Sequence, residues 1–313
     1  METTTFWFAV IAFLWTGYFV LEGFDFGVGM LMPALSRNEA ERKQILGTIG
    51  PVWDGNEVWL ITAVGAMFAA FPVWYAGLFS TFYLPIVLIL VGLIVRGIGL
   101  EWRGKVHSSA GRARCDLGIL VGSALPAFLW GAVFAALLHG SATAALVGGV
   151  FSLSLCVLHG AVFVALKTSG PMRSRARRAA MIASTVVLPA AVVALSTIPG
   201  VAGGRRRLGR GSVAVGLRPD RDGGPGRRDR TDLARPGRLG VRRHRLVHRP
   251  DRRRPVRRPL PGPLPGLTIA EAASGPYTLS VLTWIGLIAL PFVLGYQAWS
   301  YWVFRKRLVA EVS

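Results

Sequence analysis

Seven apolar segments of the chain are long enough to cross a lipid bilayer, and they limit the fold more than any other feature. The hydrocarbon core of a bilayer is about 30 Å thick, so a spanning helix needs about 20 apolar residues. The composition agrees, because 52% of the residues are hydrophobic. We predict an all-α, polytopic membrane protein with seven visible transmembrane helices, at about residues 6–33, 58–76, 78–100, 117–138, 145–166, 180–201 and 277–304.

The loops between these spans indicate the orientation of the chain. Lysine and arginine follow the first, third and fifth spans, whereas the turns after the second and fourth spans contain neither. Short cytoplasmic loops carry an excess of these two residues. We therefore predict that the N-terminus lies outside the membrane and the C-terminus inside, where Arg305, Lys306 and Arg307 follow the last span.

One segment, residues 203–265, does not fit this pattern. It contains 20 arginines and five aspartates, so it carries +15 of the formal net charge of +20. The basic pI therefore belongs to one segment and does not predict nucleic-acid binding by the whole protein. Charge alternation also requires an even number of crossings between the sixth span and the last. Zero crossings would leave the +15 charge outside the membrane, and two would restore the alternation, yet the segment contains no apolar run to make them.

A shifted reading frame would account for the missing crossings. In a GC-rich gene, arginine is encoded by CGN, and a frame that starts at the second base reads GNC, which encodes Val, Ala, Asp or Gly. A run of arginines can thus hide a run of small and aliphatic residues. We interpret residues 203–265 as a frameshifted stretch. The alternative is a genuine disordered basic loop, which the composition also permits.

Acidic residues gather at one predicted membrane depth. The stretch "LEGFDFGVGML" carries two of them near the inner end of the first span, "WDGNEVW" opens the second span, and "VRGIGLEW" closes the third. Ionisable groups in or beside spans are costly unless they pair or line a wet path, and they often mark proton routes. The candidates for a proton path are Glu22, Asp25, Asp54, Glu57 and Glu101, with Arg96 at the same depth.

Simpler interpretations of these acids stay open. Glu57 and Glu101 could be solvated at the interface, and Glu22 could serve only to pair with Arg96. The cysteine and histidine spacings predict neither a disulfide nor a metal site, and no haem held by this chain alone. We expect His159, inside the fifth span, to be a hydrogen-bonded core residue.

Five motifs resemble one known family. "GFDFGVGML", "GPVWDGNEVWLITA", "LIVRGIGLEWRGK", "LTIAEAASGPYTL" and "WSYWVFRKR" are similar to subunit II of the cytochrome bd-type quinol oxidases, over residues 6–202 and 266–308. The resemblance implies nine helices, arranged as two four-helix bundles and a peripheral helix. On this basis 1–138 would form the first bundle, 139–202 the first part of the second, 203–265 the anomalous segment, and 266–313 an outer loop, final helix and basic tail.

The resemblance also implies a function within a complex. A partner, subunit I, would hold the haems b and haem d and receive electrons from quinol in a bacterial cytoplasmic membrane, and dioxygen would be reduced to water with cytoplasmic protons. This chain would hold no cofactor itself, and small accessory subunits are left open. The family's proton path falls on Asp54, with Asp25 and Glu101 as further members, and Trp53 and Arg96 would fix the packing around them. The alternative is a structural subunit without a proton-path role.

The frameshift interpretation predicts the result of resequencing. Sequencing of the gene across codons 195–275 should find an inserted or deleted base near each end of the anomalous segment. A corrected frame would then encode two apolar spans. An unchanged frame would show that the arginine-rich segment belongs to the protein.

Overall fold

The computed structural model describes residues 3–197 and 268–309. The anomalous segment 203–265 therefore lies outside the described residues. Those two ranges are helical throughout, apart from short connections and one isolated parallel bridge between Thr168 and Leu308. The predicted all-α class is confirmed.

Ten helices make up the described ranges. We number them α1 Thr3–Leu35, α2 Glu39–Gly47, α3 Trp53–Ala70, α4 Pro72–Thr81, α5 Tyr83–Trp102, α6 Ser109–His139, α7 Ala142–Lys167, α8 Gly170–Thr197, α9 Ile269–Ala272 and α10 Pro276–Val303. A single 3₁₀ turn, Arg103–Lys105, extends α5.

Six of these helices are long and apolar enough to cross a membrane: α1, α5, α6, α7, α8 and α10. They correspond to six of the seven predicted spans. The predicted span at 58–76 is not one of these six, because the structure divides it at Phe71 between α3 and α4. Proline has no N–H and disfavours helical geometry in the residue before it. Phe71, which precedes Pro72, accordingly has φ −137° and ψ 66°.

Helix α1 packs against α3, α6 and α7, so it lies at the centre of the described helices. Its crossing with α7 depends on two glycines. A Cβ atom added to Gly160 would overlap the backbone of Gly27, and one added to Gly27 would overlap the carbonyl of Cys156. Small residues allow helix backbones to approach closely in membranes, where apolar surfaces gain little from burial alone.

The last helix, α10, presents most of its surface outward. Trp284, Ile288 and Phe292 are each more than 60% exposed. Apolar side chains in such positions suit a lipid environment or a protein partner. At one end of the helix, the indole of Trp7 donates to Thr283 Oγ1 at 3.0 Å. The preceding turn is held by Ser274, whose backbone N–H donates to the carbonyl of Ala70 at 2.8 Å.

Bulk added at the α1–α7 crossing should weaken the fold. We expect Gly160→Ala to lower stability by about 1–3 kcal/mol, because overpacking forces the two backbones apart. A lower melting temperature of the purified protein would report the loss. The control is Gly65→Ala, since a Cβ there meets nothing within 4 Å, and a helical alanine is more stable than glycine by about 0.5–1 kcal/mol. Equal melting temperatures for the two variants would contradict the prediction.

Candidate functional site

The side chain of Arg96 is completely buried and joins three helices. From α5, its Nη1 donates to Glu22 Oε1 on α1 and to Glu57 Oε1 on α3, the latter at 3.1 Å. Its Nη2 lies 4.0 Å from Asp25 Oδ2. One guanidinium thus contacts three carboxyl groups, and we call Glu22, Asp25, Glu57 and Arg96 the arginine cluster.

Local sequence explains how these groups meet. Glu22 and Asp25 are three residues apart, so they share one face of α1. Helix α5 packs closely against α6 at Arg96, because Gly122 of α6 lies against the backbone and Cβ of Arg96. The guanidinium is also covered by aromatic rings, with its Cζ 5.1 Å from the ring centre of Phe26 and 6.0 Å from that of Trp53.

Burial differs among the three carboxyl groups. Glu22 and Asp25 are 0% exposed, whereas the side chain of Glu57 is 27% exposed. Within the described helices, Glu22 Oε2 and Asp25 Oδ1 accept no hydrogen bond. Two buried carboxyls beside one guanidinium are electrically neutral only when one of them holds a proton. The arrangement can therefore store a proton next to a positive charge without a net buried charge.

Asp25 has a second polar neighbour, Asn56. The Asn56 amide nitrogen donates to Asp25 Oδ2 at 2.7 Å, and its oxygen accepts from Gln297 Nε2 and Tyr301 Oη, both at 2.9 Å. Asn56 is itself 0% exposed. A hydrogen-bonded chain thus runs from α10 through α3 to a buried acid of α1.

The other two predicted acids lie on the surface. Asp54 is exposed in the first turn of α3, and Glu101 is exposed near the end of α5 and accepts from Lys105 at 2.6 Å. Neither contacts Arg96. Trp53 is half-buried, and its ring lies 6.0 Å from Arg96 Cζ and 3.5 Å from where a Cβ on Gly97 would be. The structure therefore separates the predicted acids into two groups. Glu22, Asp25 and Glu57 contact Arg96, whereas Asp54 and Glu101 lie on the surface, where α3 begins and α5 ends.

A second set of charged residues stabilises the region where α2, the 3₁₀ turn after α5 and the first part of α6 meet. Arg103 donates to Glu39 at 2.7 Å and also pairs with Asp116, to which Arg42 donates at 2.6 Å. The hydrogen bond from Arg103 holds the pKa of Glu39 below its usual value. This pair stabilises the fold above about pH 4.3, the ordinary range of glutamate, and the contribution is lost as the pH falls through the lowered pKa.

Helix α2 is fixed to α8 by a similar pair. Arg175 Nη2 lies 2.6 Å from Glu41 Oε1, and both side chains are mostly buried. The hydrogen bond from Arg175 keeps the pKa of Glu41 below its usual value. Contacts of this kind attach the short helix α2 to the long helices and are separate from the arginine cluster.

The histidine and cysteine residues of the described ranges form no ligand set. Over residues 3–197 and 268–309, no group of three or more His, Cys, Asp and Glu side chains could hold a metal ion. His159 is partly buried on α7, and its ring contacts that of Phe24 with 5.5 Å between the centres. Cys115 and Cys156 are free thiols.

Sequence reasoning missed Asn56, Gln297 and Tyr301. The sequence contained a signal for each of them. Asn56 lies between two candidate acids in "WDGNE", and Gln297 and Tyr301 are polar residues four positions apart on the otherwise apolar last span. Residues at i and i+4 share a helix face. Nothing in a single helix, however, indicates which neighbour that face contacts.

Comparisons with known proteins agree with one another. The family model described as "Cytochrome bd terminal oxidase subunit II" matches residues 3–217 and 254–304. The chain is 38% identical to the Cytochrome bd ubiquinol oxidase subunit 2 of Bacillus subtilis (strain 168), over 96% of each chain. It is 30% identical to the Cytochrome bd-I ubiquinol oxidase subunit 2 of Escherichia coli (strain K12), over 97% of this chain and 95% of the relative.

Removal of the shared cation should destabilise the fold. We expect Arg96→Met to cost about 3–5 kcal/mol, because it leaves buried carboxyls without a partner. Thermal unfolding of the purified protein would measure the loss, and adding Glu22→Gln to the same variant should recover part of it. In contrast, Lys105→Met removes an exposed pair and should cost less than about 1 kcal/mol. Equal melting temperatures for the two single variants would refute the central role of Arg96.

Proposed function

This chain belongs to the cytochrome bd terminal oxidase subunit II family, and we propose that it supports a haem-bearing subunit I and carries part of the proton route to the site of dioxygen reduction. The family makes it a multi-pass membrane subunit of a terminal oxidase, an oxidoreductase as part of a complex. Membership also implies a subunit I partner and haems in that complex. The overall reaction in the proposal is quinol oxidation coupled to reduction of dioxygen to water.

The arginine cluster carries the proton-route proposal. It places two fully buried carboxyls beside one guanidinium, and the partly exposed Glu57 connects them to the surface. In the proposal, Asp54 and Glu101 collect protons at the surface, Glu57 links them inward, and Asp25 and Glu22 hold a proton in the interior. Arg96 orients these acids, and Trp53 covers the guanidinium on the surface side.

Charge distribution supports a cytoplasmic entrance for this route. The proposed entrance lies at the end of α5, beside Arg103 and Lys105, and the basic tail Arg305–Arg307 follows α10. An excess of positive residues is typical of cytoplasmic loops. The proposed orientation therefore has the N-terminus outside and the C-terminus inside the bacterial cytoplasmic membrane.

The frameshift remains part of the proposal. The family match stops at residue 217 and resumes at residue 254, inside the arginine-rich segment. This interruption supports a loss of the family's sequence between those points. The proposed active protein has two further helices in place of residues 203–265, which would complete the second of two four-helix bundles.

A second candidate function is structural support alone. It is favoured by the ion pairs, because Glu22 and Glu57 both bind Arg96 and Glu101 binds Lys105. In that case the acids would fix helices to one another and would not exchange protons during turnover.

Asp54→Asn in the assembled oxidase separates the two candidates. On the proton-route proposal, quinol-driven oxygen consumption should fall by about 100- to 10,000-fold, in line with the loss of a proton-transfer group. The haem absorption spectrum should not change, because Asp54 is exposed in the first turn of α3 and asparagine has nearly the same size and shape. Oxygen uptake per haem, measured in membranes, gives the result.

The matched control is Glu271→Gln on α9, an exposed carboxyl at the opposite end of the described helices. Its turnover should equal that of the unmodified protein. If Asp54→Asn and Asp25→Asn both keep full turnover with normal haem content, the proton route is excluded and the structural role remains.

A further inference from the structure

We infer that Asn56 is a positioning residue for Asp25, held in place by the last helix through Gln297 and Tyr301. In this arrangement Asn56 occupies one oxygen of the Asp25 carboxyl, Oδ2, and leaves the other, Oδ1, to exchange the proton. The inference rests on the proposed function and adds a residue outside the set of acids.

The hydrogen bonds around Asn56 fix the direction of its amide. An ionised carboxylate can only accept, so the Asn56 nitrogen must face Asp25 Oδ2. The amide oxygen then faces α10, where it accepts from both Gln297 Nε2 and Tyr301 Oη. With 0% exposure, Asn56 has no access to solvent as an alternative partner. Its three hydrogen bonds thus define one orientation.

The two oxygens of Asp25 are consequently different. Oδ2 accepts from Asn56 at 2.7 Å and is the oxygen nearest to Arg96. Oδ1 is buried and accepts no hydrogen bond from the described part of the chain. A proton that binds to Oδ1 breaks no existing hydrogen bond, whereas one that binds to Oδ2 displaces the amide donor. The structure therefore assigns proton exchange to Oδ1.

Helix α10 can affect Asp25 because one of its few polar contacts is made to Asn56. Most of its surface is exposed, and among the described helices it packs mainly against α3 and α1. In the described part of the chain, its side chains have one polar anchor near each end, the Trp7–Thr283 bond and the Asn56 pair, and Lys167 also donates to the carbonyl of Phe304 just after the helix. Only the second anchor reaches the arginine cluster, so a change in the seating of α10 would be transmitted to Asp25 through Asn56.

Several charged or titratable groups act on Asp25 besides Asn56. They come from every element that contributes to the cluster: Glu22 on α1, Glu57 on α3, Arg96 on α5 and Tyr301 on α10. All four of these side chains are kept when Asn56 is replaced by an apolar residue of similar size. The Asn56 donor can therefore be removed with the surrounding charges kept.

The test uses Asn56→Leu in the assembled oxidase. A carboxylate that loses a hydrogen-bond donor binds its proton more tightly, so the pH dependence of turnover should move to higher pH by about one unit. The infrared band of the Asp25 carboxyl, identified by its loss in Asp25→Asn, should also shift in frequency. If Asn56 had only a structural role, the variant would give less assembled complex, and neither the pH dependence of turnover nor the carboxyl band would shift.

Tyr301→Phe provides a second variant in case Asn56→Leu fails to assemble. It removes one of the two donors to the Asn56 oxygen, so the shifts should have the same direction and a smaller size. The matched control is Tyr296→Phe, the same change at a residue of α10 that is 62% exposed. A second control, Thr283→Val, weakens the other anchor of α10, and neither control should move the pH profile.

The outcomes separate this inference from the proposed function. If Asp25→Asn stops turnover while Asn56→Leu and Tyr301→Phe leave the pH profile and the carboxyl band unchanged, the positioning role is wrong and the proton route stands. If Asp25→Asn leaves turnover intact, Asp25 is not part of the proton route and the inference fails with it; the route as a whole fails only if Asp54→Asn also keeps full turnover. The inference is supported if the pH profile and the carboxyl band both shift in Asn56→Leu and Tyr301→Phe and stay unchanged in the two controls.

Discussion

The described part of the structure depends on one buried guanidinium. Arg96 contacts carboxyl groups from α1 and α3, and through Asp25 and Asn56 it is connected to α10. A charge in a low-dielectric interior is tolerated only when it is paired, so these helices cannot rearrange independently. The same requirement brings several proton-binding groups to one place. Structural support and proton storage are therefore two consequences of one arrangement.

The packing around this cluster is adapted to a membrane. Apolar surfaces gain little from contact with each other in lipid, so association depends on close approach and polar contacts. The Gly27–Gly160 crossing supplies close approach between α1 and α7. The amide and hydroxyl groups of α10 supply the polar contacts for a helix that otherwise exposes large apolar side chains.

The sequence predicted the long helices, because they follow from simple rules of hydropathy. It also grouped the candidate acids with Arg96, and the structure brings Glu22, Asp25 and Glu57 together around that side chain. It did not predict the division at Phe71, although Pro72 was a visible signal, since the surrounding residues are continuously apolar. Nor did it predict the partners of Asn56. Helices that are apolar on every side give no periodic signal for the face that packs, so Gln297 and Tyr301 could not be assigned to a neighbour. The burial of Asp116 against Arg103 was missed for a related reason, because charges near the ends of spans resemble those of ordinary loops.

The arginine cluster also sets an order for biosynthesis. Glu22 and its cation are 74 residues apart in the chain, so the first span leaves the ribosome well before Arg96 exists. During that interval the two acids of α1 have no positive partner within the membrane. Their lasting position can be established only after α5 has been inserted and has turned its arginine toward α1. The cluster can therefore be complete only when the first three long segments have been inserted correctly. A chain whose synthesis stops earlier carries an acidic face on α1 without its positive partner.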